Sequence, residues 1–317
     1  MSSNSRQLAA RLVMRPRDTD GLGKVSGGVI LSQIDLAAAV VARSACQSMR
    51  INRMVTRAMD RVEFKRPVYV NDVLTCYGTI QRIGRTSVTV LVEVEADRLG
   101  TIIPVTSATA VFVALDDNGN PTPLGCPAQQ SGSESKSAPS SPPAPATDGS
   151  ESGIGSGAAT ELSSERVIAL RKVMMPNETN GMGNIFGGLL MDYMDMAGSY
   201  TASRACKNAF MARCVNRLMD KIEFKQPVHV NDVITCYGTI TNLGTTSVTV
   251  HVDVEAERQG KVVQVTQADM IFVAVDKNDK SIPLACMQGK QKQSKSVSRK
   301  ARSKSSKPKK NRGSCAF

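Results

Sequence analysis

Two aspartates, Asp35 and Asp195, occupy matching places in long apolar segments, the first being "GGVILSQIDLAAAVVARSAC" (27–46). A carboxylate in such a setting can act as a general base, or as a nucleophile through an anhydride. It can equally do no more than bind a neighbouring backbone group or an arginine. Burying it without any partner is costly, so its recurrence in both segments demands one. Ahead of each segment lies a glycine-rich loop, "RDTDGLGKVSGG" (17–28) and "NETNGMGNIFGG" (177–188). The first carries Asp20 where the second carries Asn180. Asn180 can orient a water or a carbonyl, or simply serve the turn that "TNG" suggests. Backbone N–H groups around Gly27 and Gly28, or Gly187 and Gly188, could receive a developing oxyanion, because unpaired donors and the helix dipole converge at a helix start. The same glycines could merely permit close packing.

Other chemistries find little support. The chain has two histidines, His229 and His251, and the matching positions hold Tyr69 and Leu91. Neither belongs to a repeated polar constellation, and both read as strand-surface residues, which argues against a Ser-His-Asp hydrolase. Neither the GxxxxGK[ST] nor the GxGxxG phosphate loop occurs. Cys46, Cys76 and Cys126 return as Cys206, Cys236 and Cys286 in or beside apolar runs, with no CxxC pair. They read as reduced thiols rather than zinc ligands or a disulfide framework, and no metal site is expected. The formal net charge is +12, but eleven Lys and Arg lie between Lys290 and Arg312 with no acidic residue among them. That tail accounts for nearly all of the excess, leaving a body close to neutral. It is expected to be disordered, and its partner could be RNA, an anionic membrane or an import receptor. No apolar run reads as long enough to span a bilayer, and the expected location is cytoplasmic.

Stepping from one residue to its counterpart takes a constant shift, the mark of an internal duplication. "DRVEFKRPVYVNDVLTCYGTI" (60–80) returns as "DKIEFKQPVHVNDVITCYGTI" (220–240). The expected organisation is a first domain at 1–126, a flexible Ser/Pro/Gly-rich linker at 127–160, a second domain at 161–287 and the basic tail at 288–317. A linker of that composition reaches roughly 30 Å, enough to let the halves pack together. Within each half, a strand (6–14) precedes the loop and a long, largely buried helix follows it. "SVTVLVEVEA" (87–96) places Val88, Val90, Val92 and Val94 on one side with Thr89, Leu91, Glu93 and Glu95 opposite, the period of a strand. "VTSATAVFVAL" (105–115) supplies another strand, and "RIGRTS" (82–87) reads as a hairpin turn. The class is α+β: a long central helix wrapped by an antiparallel sheet, twice, with the two units pairing otherwise exposed sheet edges.

The loop, double glycine, helical aspartate and later strand, in "NETNGMGNIFGGLLMDYMD", "EFKQPVHVNDVITCYGTI" and "GTTSVTVHVDVEA", together resemble the acyl-coenzyme A hydrolases of the hotdog-fold thioesterases. The similarity covers roughly 6–125 and 166–285, and is closest to the bacterial single-domain branch and the tandem animal enzymes. It implies tandem hotdog domains that hydrolyse acyl-CoA to free fatty acid and coenzyme A, with no cofactor beyond the coenzyme A of the substrate. It also implies catalysis by a loop Asn and a helix Asp from different units, meeting at their interface. Those positions are Asn180 with Asp35; the first repeat departs from the pattern by placing Asp20 opposite Asp195. Two facing carboxylates should hinder each other's ionisation, leaving the Asn180/Asp35 site the active one. The resemblance further implies CoA contacts near Arg57, Lys65, Arg85, Thr86, Ser87, Arg217, Lys225, Thr246 and Ser247, and a homo-oligomer of three double-hotdog chains. A non-catalytic acyl-CoA sensor and a scaffold acting through the tail remain the alternatives.

Overall fold

The computed structural model describes residues 5–20, 23–44, 54–116, 118–124, 165–180, 183–205, 213–276 and 278–284. The linker and tail inferred at 127–160 and 288–317 lie outside these, as do Cys46, Cys126, Cys206 and Cys286.

The first repeat runs β1 (Gln7–Val13), α1 (Gly27–Ser44), β2 (Met54–Met59), β3 (Val62–Glu63), β4 (Val73–Ile83), β5 (Ser87–Arg98) and β6 (Thr101–Ala114). The second repeats it as β7 (Val167–Val173), α2 (Gly187–Ala205), β8 (Arg213–Met219), β9 (Ile222–Glu223), β10 (Val233–Leu243), β11 (Ser247–Arg258) and β12 (Lys261–Val275). Val88, Val90, Val92 and Val94 of β5 are buried while Thr89, Leu91, Glu93 and Glu95 are not. Each fully buried valine contributes about 1.5–2 kcal/mol of apolar transfer, an upper figure because unfolded chains are already partly collapsed. The hairpin from β5 to β6 turns tightly at Leu99 and Gly100, both with positive φ, so these strands are longer than alternation alone suggests.

Among the described residues each sheet has six strands, five from one repeat and one from the other. The orders are β1-β4-β5-β6-β2-β9 and β3-β8-β12-β11-β10-β7. The exchanged strands are the two-residue β9 and β3: Met59 pairs with Ile222, and Val62 with Met219. The expected edge pairing is thus achieved by a short swap.

Helix α1 packs across β4 and β5. Val41 approaches the sheet where Gly78 leaves room, since a Cβ there would lie 2.5 Å from a Val41 methyl carbon. By length and composition α1 does meet the requirement for a membrane span, a correction to the sequence reading. Its apolarity is accounted for by burial: Ile30, Leu31, Ile34, Ala37, Ala38, Val41 and Ala42 all belong to the core.

A second pair of buried carboxylates braces the turns that follow β3 and β9. Asp72 receives the Arg98 guanidinium at 2.7 Å and the Tyr69 N–H at 2.9 Å; Asp232 does the same with Arg258 at 2.6 Å and the His229 N–H at 2.9 Å. Despite burial, these contacts hold the Asp232 carboxyl below its ordinary range. His229 therefore sits half-buried in a turn, forming an isolated bridge with Asn184, and not on a strand surface as expected. His251 does lie on β11, 2.6 Å from Asp269.

Candidate active site

The two helices meet at their beginnings. A Cβ added at Gly188 would stand 2.9 Å from both Ser32 Cα and Asp35 Cβ; one at Gly28 would stand 2.7 Å from Asp192 Cα and 2.9 Å from Asp195 Cβ. Only glycine allows backbones this close. Each helix start then directs an N–H into the other helix's aspartate. Gly188 donates to Asp35 Oδ2 at 2.7 Å, and Gly28 to Asp195 Oδ2 at 2.8 Å. The remaining oxygens find unlike partners. The Thr56 hydroxyl donates to Asp35 Oδ1 at 2.7 Å, whereas the Asn216 amide donates to Asp195 Oδ1 at 2.7 Å and the Ser26 hydroxyl to Oδ2 at 3.3 Å. Among the described residues neither carboxylate has a cationic partner, unlike Asp72 and Asp232.

Burial pushes the Asp35 carboxyl up to about 6, against the opposing pull of Thr56 and Gly188. Burial also raises Asp195, opposed by Asn216, Gly28 and Ser26. A carboxylate shielded from water but held by neutral donors is what a base working near neutrality requires.

Beside each aspartate a cavity opens along the seam, built from both repeats. One, of about 90 Å³, is lined by Asp20, Lys24, Ser26, Gly27, Asp195 and Asn216 among others. The other, of about 210 Å³, is lined by Asn180, Gly187, Thr56, Phe186, Leu190 and Phe112 among others. Asn180 and Thr56, one of the two donors to Asp35, thus converge on one cavity, and Asp20 and Asp195 on the other. Asp35 itself has no exposed surface and stands behind Thr56 and the helix start, while Asp195 is 4% exposed and reaches its cavity directly. Asp20 and Asn180 occupy equivalent turns, each N–H bonding the carbonyl four residues on (Lys24 and Asn184). Gly23 and Gly183, both with φ near +85°, make these turns possible.

Gly28 and Gly188 spend their N–H groups on the aspartates, whereas Gly27 and Gly187 line the cavities. Asp192, one turn before Asp195 on α2, is also affected: burial, reinforced by Asp195, pushes its carboxyl up to about 6. Of the residues inferred to contact CoA, Arg57 and Lys225 line the larger cavity and Arg217 the smaller. Lys65, Arg85, Thr86, Ser87, Thr246 and Ser247 line neither. The carbonyls of Thr86 and Thr246 instead accept from Ala114 and Ala274 at the ends of β6 and β12. Thr56, Asn216, Ser26 and Asp192 were missed. Their signal was present as mismatch between repeats: Thr56 aligns with Asn216, Ser26 with Phe186, Ser32 with Asp192.

Two helix-and-sheet units that share buried aspartates across a seam define a double-hotdog protein. The chain belongs to the thioesterase superfamily, whose domain matches it twice, at residues 22–103 and 182–263. The acyl-CoA thioester hydrolase YciA of Salmonella typhimurium is 37% identical over 122 residues, which is 37% of this chain and 89% of that protein. A hexameric hotdog-fold thioesterase of Campylobacter jejuni is 39% identical, covering 37% of this chain and 89% of the other, with a TM-score of 0.33. Over nearly the whole length, a putative oleoyl thioesterase from Lactobacillus plantarum shares the fold at 12% identity, covering 89% and 98% with a TM-score of 0.58.

Proposed function

We propose that this protein hydrolyses acyl-CoA thioesters to free fatty acid and coenzyme A, and that the seam cavity holding Asn180 and Asp35 is where it does so. The observation that carries this reading is the convergence on one cavity of Asn180, Gly187 and the Thr56 hydroxyl, with Asp35 directly behind. The hydrolase names of the relatives support the substrate class. The apolar lining of Phe112, Leu190, Ile185 and Phe186 suits an acyl chain, and Arg57 and Lys225 supply charge for the nucleotide phosphates.

The complete burial of Asp35 favours general-base over nucleophilic catalysis, because Thr56 and Gly188 already occupy its oxygens. A water in the cavity gives its proton to Thr56 Oγ1 as the Thr56 proton passes to Asp35, and the resulting hydroxide attacks the thioester carbonyl. Asn180 and the Gly187 N–H receive the oxyanion. Collapse expels the CoA thiolate, which takes the proton back along the same path. At the other cavity Asn216 replaces the relay hydroxyl and Asp20 the amide, so that site should be weak or idle.

The test is thiol release from short, medium and long acyl-CoAs. Asp35→Ala should lose about 10²- to 10⁴-fold in kcat, the usual scale for removing a general base, and Asp195→Ala far less. Equal losses would defeat the assignment to one cavity. We further propose that three chains assemble into six hotdog units; apolar Leu36 and Val40 on α1, and Met196 and Tyr200 on α2, remain exposed in the single chain. Sedimentation equilibrium measures this directly. RNA, anionic membrane or an import receptor as partners of the basic tail remain proposals that deletion of 288–317 would probe.

A further inference from the structure

The loops that follow β6 and β12 treat the two cavities differently. After β6, Leu115 and Gly119 line the larger cavity. At the matching place after β12 stands Asp279, and its carboxylate reaches across the seam to the other repeat. Lys24 Nζ lies 2.7 Å from one oxygen and the Tyr69 hydroxyl 2.5 Å from the other. Lys24 itself lines the smaller cavity and bridges to Tyr69 through the backbone, so one end of the grip stands in that cavity's wall. Both ends are well sheltered, with the Lys24 and Asp279 side chains 11% and 21% exposed. Such a pair is screened less than a surface ion pair and holds its geometry. The larger cavity has Asn184 and His229 in place of Lys24 and Tyr69, and Gly119 in place of the aspartate. Gly119 itself has no side chain with which to repeat the Asp279 contact there.

We propose that Asp279 is a specificity-determining latch: by clamping Lys24 and Tyr69 it fixes the wall of the smaller cavity and keeps it too narrow for CoA thioesters, while Gly119 leaves the larger one roomy. This rests on the acyl-CoA reading above and adds a cause for asymmetry that is separate from the catalytic residues. The latch acts on entry and binding, whereas Asp20 and Asn216 would affect only chemistry after binding.

Titration calorimetry with a non-hydrolysable alkyl-CoA thioether separates the two. The full chain should bind one equivalent. Asp279→Gly, copying the open cavity, should bind two, with thiol release at the Asn180/Asp35 cavity unchanged. Asp279 has φ +62°, a conformation that glycine and asparagine both tolerate, so Asp279→Gly and Asp279→Asn are compatible with the fold. A thermal melt verifies folding. Conversely, installing the grip at the larger cavity with Gly119→Asp, Asn184→Lys and His229→Tyr should lower kcat/KM at least tenfold. Two equivalents bound by the unaltered chain, or one by folded Asp279→Gly, would overturn the latch and leave the hydrolase reading standing. No binding by any form would remove the hydrolase reading, and the latch with it.

Discussion

A carboxylate with no exposed surface is charged only as far as its hydrogen bonds compensate for lost water. At Asp35 they fall short, and burial raises the carboxyl from 3.8 to about 6. The proposed general base works only in its ionised form, so kcat/KM should fall below about pH 6 and level off above it, measurable as a pH–rate profile. The sign for stability is the reverse. Between these two values the folded chain keeps a proton that the unfolded chain has lost, so this group's contribution declines as pH rises through that window and stays low above it. The cost at pH 8 is about 3 kcal/mol, from two pH units at about 1.4 kcal/mol each. Asp35→Asn keeps an acceptor for Gly188 and can donate to Thr56 without charge. It should therefore melt several degrees higher at pH 8, with the advantage shrinking towards pH 4, and yet be inactive. A lower melting temperature at pH 8 would mean the carboxylate is better solvated than its burial implies. Asp35 and Asp195 were legible because the duplication presents that aspartate twice, and Asn180 because the loop around it carries the family resemblance. Thr56 and Asn216 were not, because they reach the aspartates only through the fold's register.

At the scale of elements, the site depends on how closely two helix starts can pass. Gly188→Ala places a methyl group 2.9 Å from Ser32 Cα and 3.0 Å from the Ser32 carbonyl oxygen, both backbone atoms that cannot rotate away. The helices must separate, lengthening the Gly188-to-Asp35 bond; we expect a loss of about 1–3 kcal/mol, typical of overpacking, together with most of the activity. Gly100→Ala is the control. It meets nothing within 4 Å but sits at φ +87°, so it should cost about 1 kcal/mol of strain and leave kcat intact. Chemical denaturation and thiol release on both variants check the pair. The alternating valines of β5 and the apolar helix were open to reading because one-sided burial writes its period into the sequence. The exchanged strands β3 and β9 were not: two residues are too few to carry a period, and their partners lie in the other repeat.

At the scale of the whole chain, what joins the repeats is the seam itself. Each sheet borrows a strand, each helix aspartate bonds backbone of the opposite repeat, and Asp279 clasps Lys24 across the seam. A covalent tether adds only effective concentration to such an interface, and matters little once the interface is tighter than that concentration. A protease site inserted within 127–160 should therefore be cleavable without separating the halves. The cut protein should elute from gel filtration at the volume of the intact one and retain its thiol-release activity on dilution. Because each cavity needs residues from both repeats, separation would have an unmistakable signature: activity falling with dilution, and returning when the two halves are concentrated together. Halves that part while full activity persists would be the damaging result. A single repeat would then be carrying out the chemistry, and Asn180 would have no need of Asp35.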